Sequence, residues 1–465
     1  MSAHAAPPFN ARNPESLDQL LNRAARVLRI GAWVNGIAAG LLLVIGALGA
    51  VGVIPGVFAA LHRALLLNGA GAADAGVAAA ILLILFNMSL LLVAMVGALA
   101  REAWMIPALV LVGIGNAAAL IVWGFTPALI TIGFCAAALG VSVREGGAAR
   151  KAFRLNPVMI KELRGRMRGV RAFVVLTVYL GLMGGLAMML YLVYSTAGRD
   201  PGSAAAGEIG RVLFNGVFAV ELVLIVFIAP AFTAGAITGE RERQTYDLLR
   251  TTLLSGASFV IGKLESALGY IVLLLAAGIP LQAFAFLFGG VTEGELILSL
   301  VILLVTAVAL GTIGIYFSAG NSRTLAASVR AYTVTLILLF VAPSLATILL
   351  GIVRGLLFGA GGLIQSAPLE AVIVYVGHLL TSINPLATAI NTQNLLVTQQ
   401  VSGFYAYTLA ANGSTIPLAA PWIVLTILYL AGSAVLMALT IRAARLADEH
   451  EPEPAAPPVR PESKD

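Results

Sequence analysis

Residues able to do chemistry are few in this chain and do not cluster. The four histidines, His4, His62, His378 and His450, stand far apart. No pair has the spacing of a helical HExxH zinc site, and no histidine-rich metal site is suggested. No Gly-x-Ser-x-Gly is complete, which removes the usual nucleophile turn. The segment from Gly256 to Leu264 imitates a phosphate-binding loop, but five residues separate its glycines instead of four, and Leu264 stands where Ser or Thr must hold magnesium. The chain therefore has no ATP site of that kind. The single Cys135 lies in an apolar run and excludes an intrachain disulfide. Inside other apolar runs stand Glu221, Gln282 and Asn87. A lone charge at the bilayer centre costs about 3 kcal/mol on insertion scales, so such groups face protein or water. Glu221 and Gln282 are candidates for lining a substrate path or a dimer seam; the plainer reading is a hydrogen-bonded structural role.

One polar stretch is dense enough to meet a soluble partner. Ile237 to Lys263 reads ITGERERQTYDLLRTTLLSGASFVIGK, a charged island between two long apolar runs. Glu240, Arg241, Glu242 and Arg243 alternate in sign. Tyr246, Leu248 and Leu249 add apolar groups near one helical turn, Asp247 and Arg250 have helix-supporting spacing, and Ser255 can cap the next helix. A short amphipathic helix of this kind suits a groove on a partner protein. A solvated loop is the bland reading of the same residues.

The elements that carry these residues belong in a bilayer. The chain has 465 residues, 60% hydrophobic and 11% charged, with mean hydropathy +0.97. Soluble domains carry about 25% charged residues, so this composition cannot cover a water-soluble surface. Apolar stretches near the span length of about 20 residues fall at 30–53, 76–99, 103–123, 125–143, 173–195, 212–237, 264–289, 296–319, 331–353 and 421–441. The fold class is an all-α polytopic membrane protein of about ten transmembrane helices. Gly124 and Pro127 mark a tight turn between the third and fourth.

Charge placement orients the chain. With residue 1 in the cytoplasm, the outside segments hold only Arg63, Arg199, Arg211 and Arg354, leaving 24 of the 28 Lys and Arg inside. That is the positive-inside bias. Trp33, Trp104, Trp123 and Trp422 all fall at span ends, where indoles favour the interface. Both termini are then cytoplasmic, and the net charge of +6 is a topology signal, with no nucleic acid implied. Residues 1–29 form a polar N-terminal segment with Arg23, Arg26 and Arg29 on a short helix, and they lack the form of a signal peptide. The acidic, Pro-rich tail 446–465 is expected to be disordered.

Two segments beside the spans have structure of their own. In 144–172, FRLNPVMIKELRGRMRGVR reads as an interfacial helix: Asn156 caps, Pro157 takes the first position, and Met159, Leu163, Met167 and Val170 make an apolar stripe. Lys161, Arg164, Arg166, Arg168 and Arg171 fill the remainder, which suits anionic headgroups. In 354–420 the apolar piece from Ala371 to Ile383 is too short to span, and Asn384–Pro385 makes a break. A re-entrant segment and an ordinary outer loop with one packed helix are both compatible with it.

From TGERERQTYDLLRTT with its following GKL, and from NPVMIKELRGRMRG leading into a span, the chain resembles the permeases of ABC-2 type ABC transporters over about 153–445. Many members have proline at the position of Leu253. The resemblance implies an interfacial elbow helix around Asn156, Pro157, Lys161, Glu162, Arg164 and Arg168. It also implies a coupling helix using Glu240, Arg241, Glu242, Arg243, Tyr246, Asp247 and Leu249. A six-span permease domain (151–445) would follow a four-span region (30–150) that the resemblance does not cover. It implies a separate ATPase subunit, which alone handles ATP and magnesium, a second permease copy or homologue, and a place in the plasma membrane of a prokaryote. The chain itself would be no enzyme. A membrane enzyme acting on lipid or glycan, and a scaffold that moves nothing, are the other classes open to such a sequence.

Overall fold

The structure, a computed structural model, describes residues 14–50, 56–66, 73–100, 104–144, 156–167, 170–195, 203–246, 256–358 and 367–449. It is an all-α bundle with one small hairpin. In chain order the helices are α1 (Pro14–Ala50), α2 (Val57–Leu65), α3 (Ala73–Ala100), α4 (Met105–Trp123), α5 (Ala128–Arg144), α6 (Pro157–Met167), α7 (Val170–Ser195), α8 (Ser203–Ala234) and α9 (Thr238–Glu242). Then come α10 (Gly256–Leu287), α11 (Glu293–Gly320), α12 (Thr324–Leu336), a π turn (Ile337–Val341), α13 (Ala342–Phe358), α14 (Ala367–Ser382), α15 (Pro385–Gln399), strands β1 (Phe404–Thr408) and β2 (Thr415–Ala419), and α16 (Pro421–Glu449).

Helices stand at all ten expected positions. Among the described residues eight are long and apolar enough to cross a membrane, or nine if the bent pair α14–α15 counts as one span. The apolar stretches Leu83–Leu99 and Ala128–Ser142 are shorter. Large side chains left uncovered support a bilayer surround: on α13, Leu345, Ile348, Leu349, Ile352 and Leu356 are all more than half exposed. A contiguous apolar patch of that kind is not left bare in water. The protein is a multi-pass membrane protein.

Local chemistry explains the joints. Gly124 ends α4 in the left-handed region (φ 64°), its N–H returning to Leu120 O, and α5 starts four residues later, as the tight turn predicts. Polar side chains pin the early helices together: Asn87 and Asn116 exchange amide hydrogen bonds of 2.8 and 2.9 Å between α3 and α4. Asn87 is thus structural, a reciprocal pair that leaves neither amide unsatisfied.

Several boundaries differ from the sequence reading. No break separates the N-terminal segment from the first span: α1 is one helix, and Ala25 and Leu28 are already buried. The amphipathic pattern around the three arginines simply continues into the apolar run. At the other end α16 runs to Glu449, so the tail is helical over its first four residues; the rest lies outside the described residues. The α14–α15 pair is bent by 115° at the expected Asn384–Pro385 break. The hairpin β1–β2, antiparallel with Phe404 opposite Ala419, was not anticipated; its Asn412–Gly413 turn, with Gly413 at φ 71°, was the available signal.

One core cluster joins distant parts of the chain. Leu28, Leu91, Val96, Met105 and Leu109 pack in it with Ile237, Phe259, Leu264, Ile315, Met437 and Ile441. Both ends of the described chain therefore lie at the same end of the bundle as the charged loop.

Candidate functional site

At that end the polar pieces separated in sequence come together around one lysine. Lys263, in the second turn of α10, is only 4% exposed. Its Nζ donates to Glu162 Oε1 of α6 at 2.6 Å and to Glu240 Oε1 of α9 at 2.7 Å. A buried ammonium needs such partners, and two carboxylates here share one cation. Asn156 sets α6 in place. Its Oδ1 accepts from Val158 N at 3.0 Å, a helix cap, while its Nδ2 donates to Ser258 O at 2.6 Å across to α10. Gly262 makes this approach available, since a Cβ there would sit 2.7 Å from both polar atoms of the Asn156 amide.

The loop after α8 is fastened to two further helix ends. Ile237 N and Thr238 N both donate to Ser318 Oγ, at 2.9 and 3.2 Å. Arg241 Nη1 donates to the carbonyls of Ala319 and Asn321, the last of which follows α11, at 3.0 and 2.7 Å. These carbonyls are the orphans every helix C-terminus leaves, and a guanidinium is a natural cap for them. Glu242 caps the start of α12, accepting from Thr324 N at 2.7 Å and Oγ1 at 2.9 Å. Arg241 also lies 5.0 Å over the Tyr246 ring, which meets Phe259 edge to face.

The expected continuous coupling helix is interrupted. The described part is the five-residue α9, after which Gln244 adopts φ 58° and the helix stops. Thr245 closes the turn, its N–H donating to Glu240 O at 3.0 Å and its hydroxyl to the Glu240 carboxylate. Of the residues singled out, Glu240, Arg241, Glu242 and Tyr246 are brought together, and Arg243 points outward, exposed. Asp247 and Leu249 lie outside the described residues, as does Arg168.

Helix α6 also departs from a free interfacial helix. Its protein face is Val158, Glu162, Leu163 and Arg166, with Arg166 4.9 Å over the Phe232 ring. Pro157, Lys161, Arg164 and Met167 are exposed. The apolar stripe of the sequence reading is thus split between protein and surroundings, because two charged residues find partners on the buried side.

Electrostatics make the loop pH-sensitive. Burial raises the Glu240 pKa, but hydrogen bonds from Lys263 and Thr245 outweigh it and hold the carboxyl below its usual value. The Thr324 amide and hydroxyl do the same for Glu242. A carboxylate with a depressed folded pKa contributes stability above its unfolded pKa and loses it as pH falls through the folded value. A nitroxide on Arg243→Cys should therefore keep constant mobility from pH 8 to 5 and gain mobility below about pH 4, under the free Glu range. Mobility that already rises at or above the free Glu range would contradict this fastening. The one native cysteine, Cys135, is buried and leaves the label to position 243.

A second polar site lies in the bundle interior. Glu221 of α8, 1% exposed, accepts from Tyr179 Oη of α7 at 3.4 Å and from Gln282 Nε2 of α10. No Cβ fits at Gly278 without striking Glu221. Glu221 and Gln282 are thus partners, beside a cavity of about 10 Å³, the lower limit for one water. The Gln282 amide is only half used, its buried Oε1 having no hydrogen-bond partner. Sequence reasoning missed Tyr179, Ser318 and Lys263 as partners. Lys263 was the one with a signal, a lysine flanked by apolar residues at the head of a span.

The chain matches no family model and no curated protein.

Proposed function

We propose that this chain is the transmembrane permease subunit of an ATP-driven transporter of the ABC-2 type, coupled to a separate ATPase. The observation that supports it is the convergence on Lys263 of Glu162, Glu240 and the start of α10. An external motor needs a rigid handle on the helices it moves, and the α9 loop grips the ends of α8, α10, α11 and α12 together with α6. On this reading Glu240, Arg241 and Glu242 are positioning residues that transmit the push, while exposed Arg243, with Tyr246, Asp247 and Leu249, meets the ATPase. The α9 end is cytoplasmic, both termini lie on that side, and the chain crosses the prokaryotic plasma membrane ten times. Two permease copies or homologues flank the path, and ATP and magnesium stay on the partner. Closure of the paired ATPases biases the bundle between two accessibilities. The four early spans brace the handle through the shared core.

The test is whether the α9 end meets an ATPase inside the cell. Arg243→Cys should react with a membrane-impermeant maleimide only after cells are opened. The chain should also co-purify with a Walker-motif ATPase whose vesicle-reconstituted turnover responds to a transported substrate, and Arg243→Glu should cut that co-purification at least several-fold without shifting the melting temperature. Labelling of intact cells removes the coupling role, and ATPase binding without stimulated turnover favours the scaffold.

A further inference from the structure

At the opposite end of the bundle from Lys263, α8, α11 and α15 enclose a cavity of about 30 Å³. Three polar side chains on its wall have buried atoms without a hydrogen-bond partner: Glu295 Oε2, Thr392 Oγ1 and Gln393 Nε2. Glu295 is 4% exposed and Thr392 3%. Ser299, also on the wall, donates its hydroxyl to Leu296 O at 2.7 Å and so turns its lone pairs free for another donor or cation. The Gln393 amide can present either its oxygen or its nitrogen to the cavity. Arg211 acts on Glu295 through its charge alone, its Nε and Nη2 donating to the Gly290 carbonyl, and the Thr292 backbone N–H bonds the Glu295 carboxyl, so that Oε2 is the oxygen left for a ligand.

A carboxylate this buried costs several kcal/mol unless a positive charge or its own proton neutralises it. Four oxygen-bearing side chains converge on a space sized for one or two waters. A single carboxylate matches a single positive charge. Divalent calcium takes six to eight oxygen ligands, commonly with more than one carboxylate, and an organic ammonium does not fit this volume. We propose that Glu295, Ser299, Thr392 and Gln393 bind a small monovalent cation of sodium size. The ion clamps α15, the second half of the bent pair, onto α8 and α11. This site stands apart from the coupling loop and does not depend on the transporter reading.

The purified full chain in detergent is melted at constant ionic strength with sodium, lithium, potassium or choline chloride. Raising sodium from 1 to 150 mM at choline's expense should lift the melting temperature by about 2–4 °C, and potassium should do less. Glu295→Gln, a neutral isostere, should fold with a melting temperature in choline at or above that of the parent and lose the sodium increment. Thr392→Val should reduce it. Retention of radioactive sodium by the parent should reach about one ion per chain and vanish in Glu295→Gln. Equal melting in all four salts means Glu295 is neutralised by a proton and overturns the site. An increment that survives Glu295→Gln places the ion elsewhere, and equal potency of potassium removes the size claim.

Discussion

Replacing Lys263 by methionine should destabilise the folded protein by about 3 kcal/mol, the lower end of the range for removing one partner from a buried ion pair. The lower end applies because Glu162 and Glu240 keep 25% and 21% of their side chains exposed, so water relieves part of their repulsion. What remains after the substitution is two carboxylates that a single ammonium had held together. The measurement is thermal melting followed by size-exclusion fluorescence in detergent. A second variant makes the cause visible: Lys263→Met combined with Glu162→Gln and Glu240→Gln leaves no unpaired charge and should recover most of the loss. If the triple variant melts as low as the single one, the ammonium's place 5.6 Å over the Phe259 ring, not its pairing with the two carboxylates, holds the loop.

Asn384→Ala should cost a comparable amount, about 2–4 kcal/mol, by a different mechanism. Asn384 Oδ1 accepts from Leu386 N and Ala387 N at 2.9 and 3.2 Å and so caps α15, a role worth about 1 kcal/mol. Its Nδ2 donates to Leu339 O at 2.7 Å. That carbonyl lies in the π turn, and its α-helical donor would be residue 343, which is Pro343 and has no N–H. The asparagine therefore supplies from another helix the bond that the proline removed, and losing it leaves a buried acceptor unsatisfied at about 1–3 kcal/mol. Asn384→Ser should keep the cap and lose only the second part. Adding Pro343→Ala to Asn384→Ala returns a backbone donor beside Leu339, so the double variant should melt higher than the sum of its singles predicts, by the equivalent of about 1 kcal/mol. Strict additivity would show that the two residues are not coupled.

The bundle and its broken segment were legible because composition and span length leave few options: ten apolar stretches became ten helical positions, and Asn-Pro broke where the chain could not continue helical. The α9 loop was legible as a charged island but not as a structure. Glu240, Arg241 and Glu242 read as a surface for a partner, whereas they spend their hydrogen bonds on Lys263, Ala319, Asn321 and Thr324. Partners 23 to 82 residues away leave no local periodicity to detect. Gln244 likewise carries no sequence mark of its left-handed backbone, being neither Gly nor Asn. Glu221 and Gln282 were each visible as polar intrusions, yet only their meeting across α8 and α10 explains them. Glu295 and Thr392 were invisible for a plainer reason: each sits near a helix end or in a polar stretch, where such residues are ordinary.

The cluster shared by Leu91, Val96, Met437 and Ile441 has a consequence for biogenesis. Helix α3 leaves the ribosome more than three hundred residues before α16, the helix it packs against in the finished molecule. During that interval its docking face has only lipid or the insertion machinery beside it. Ribosome stalling before Pro421 should therefore trap a long-lived intermediate whose early hairpins are inserted but unassembled, exposed to quality-control proteases until the last helix arrives.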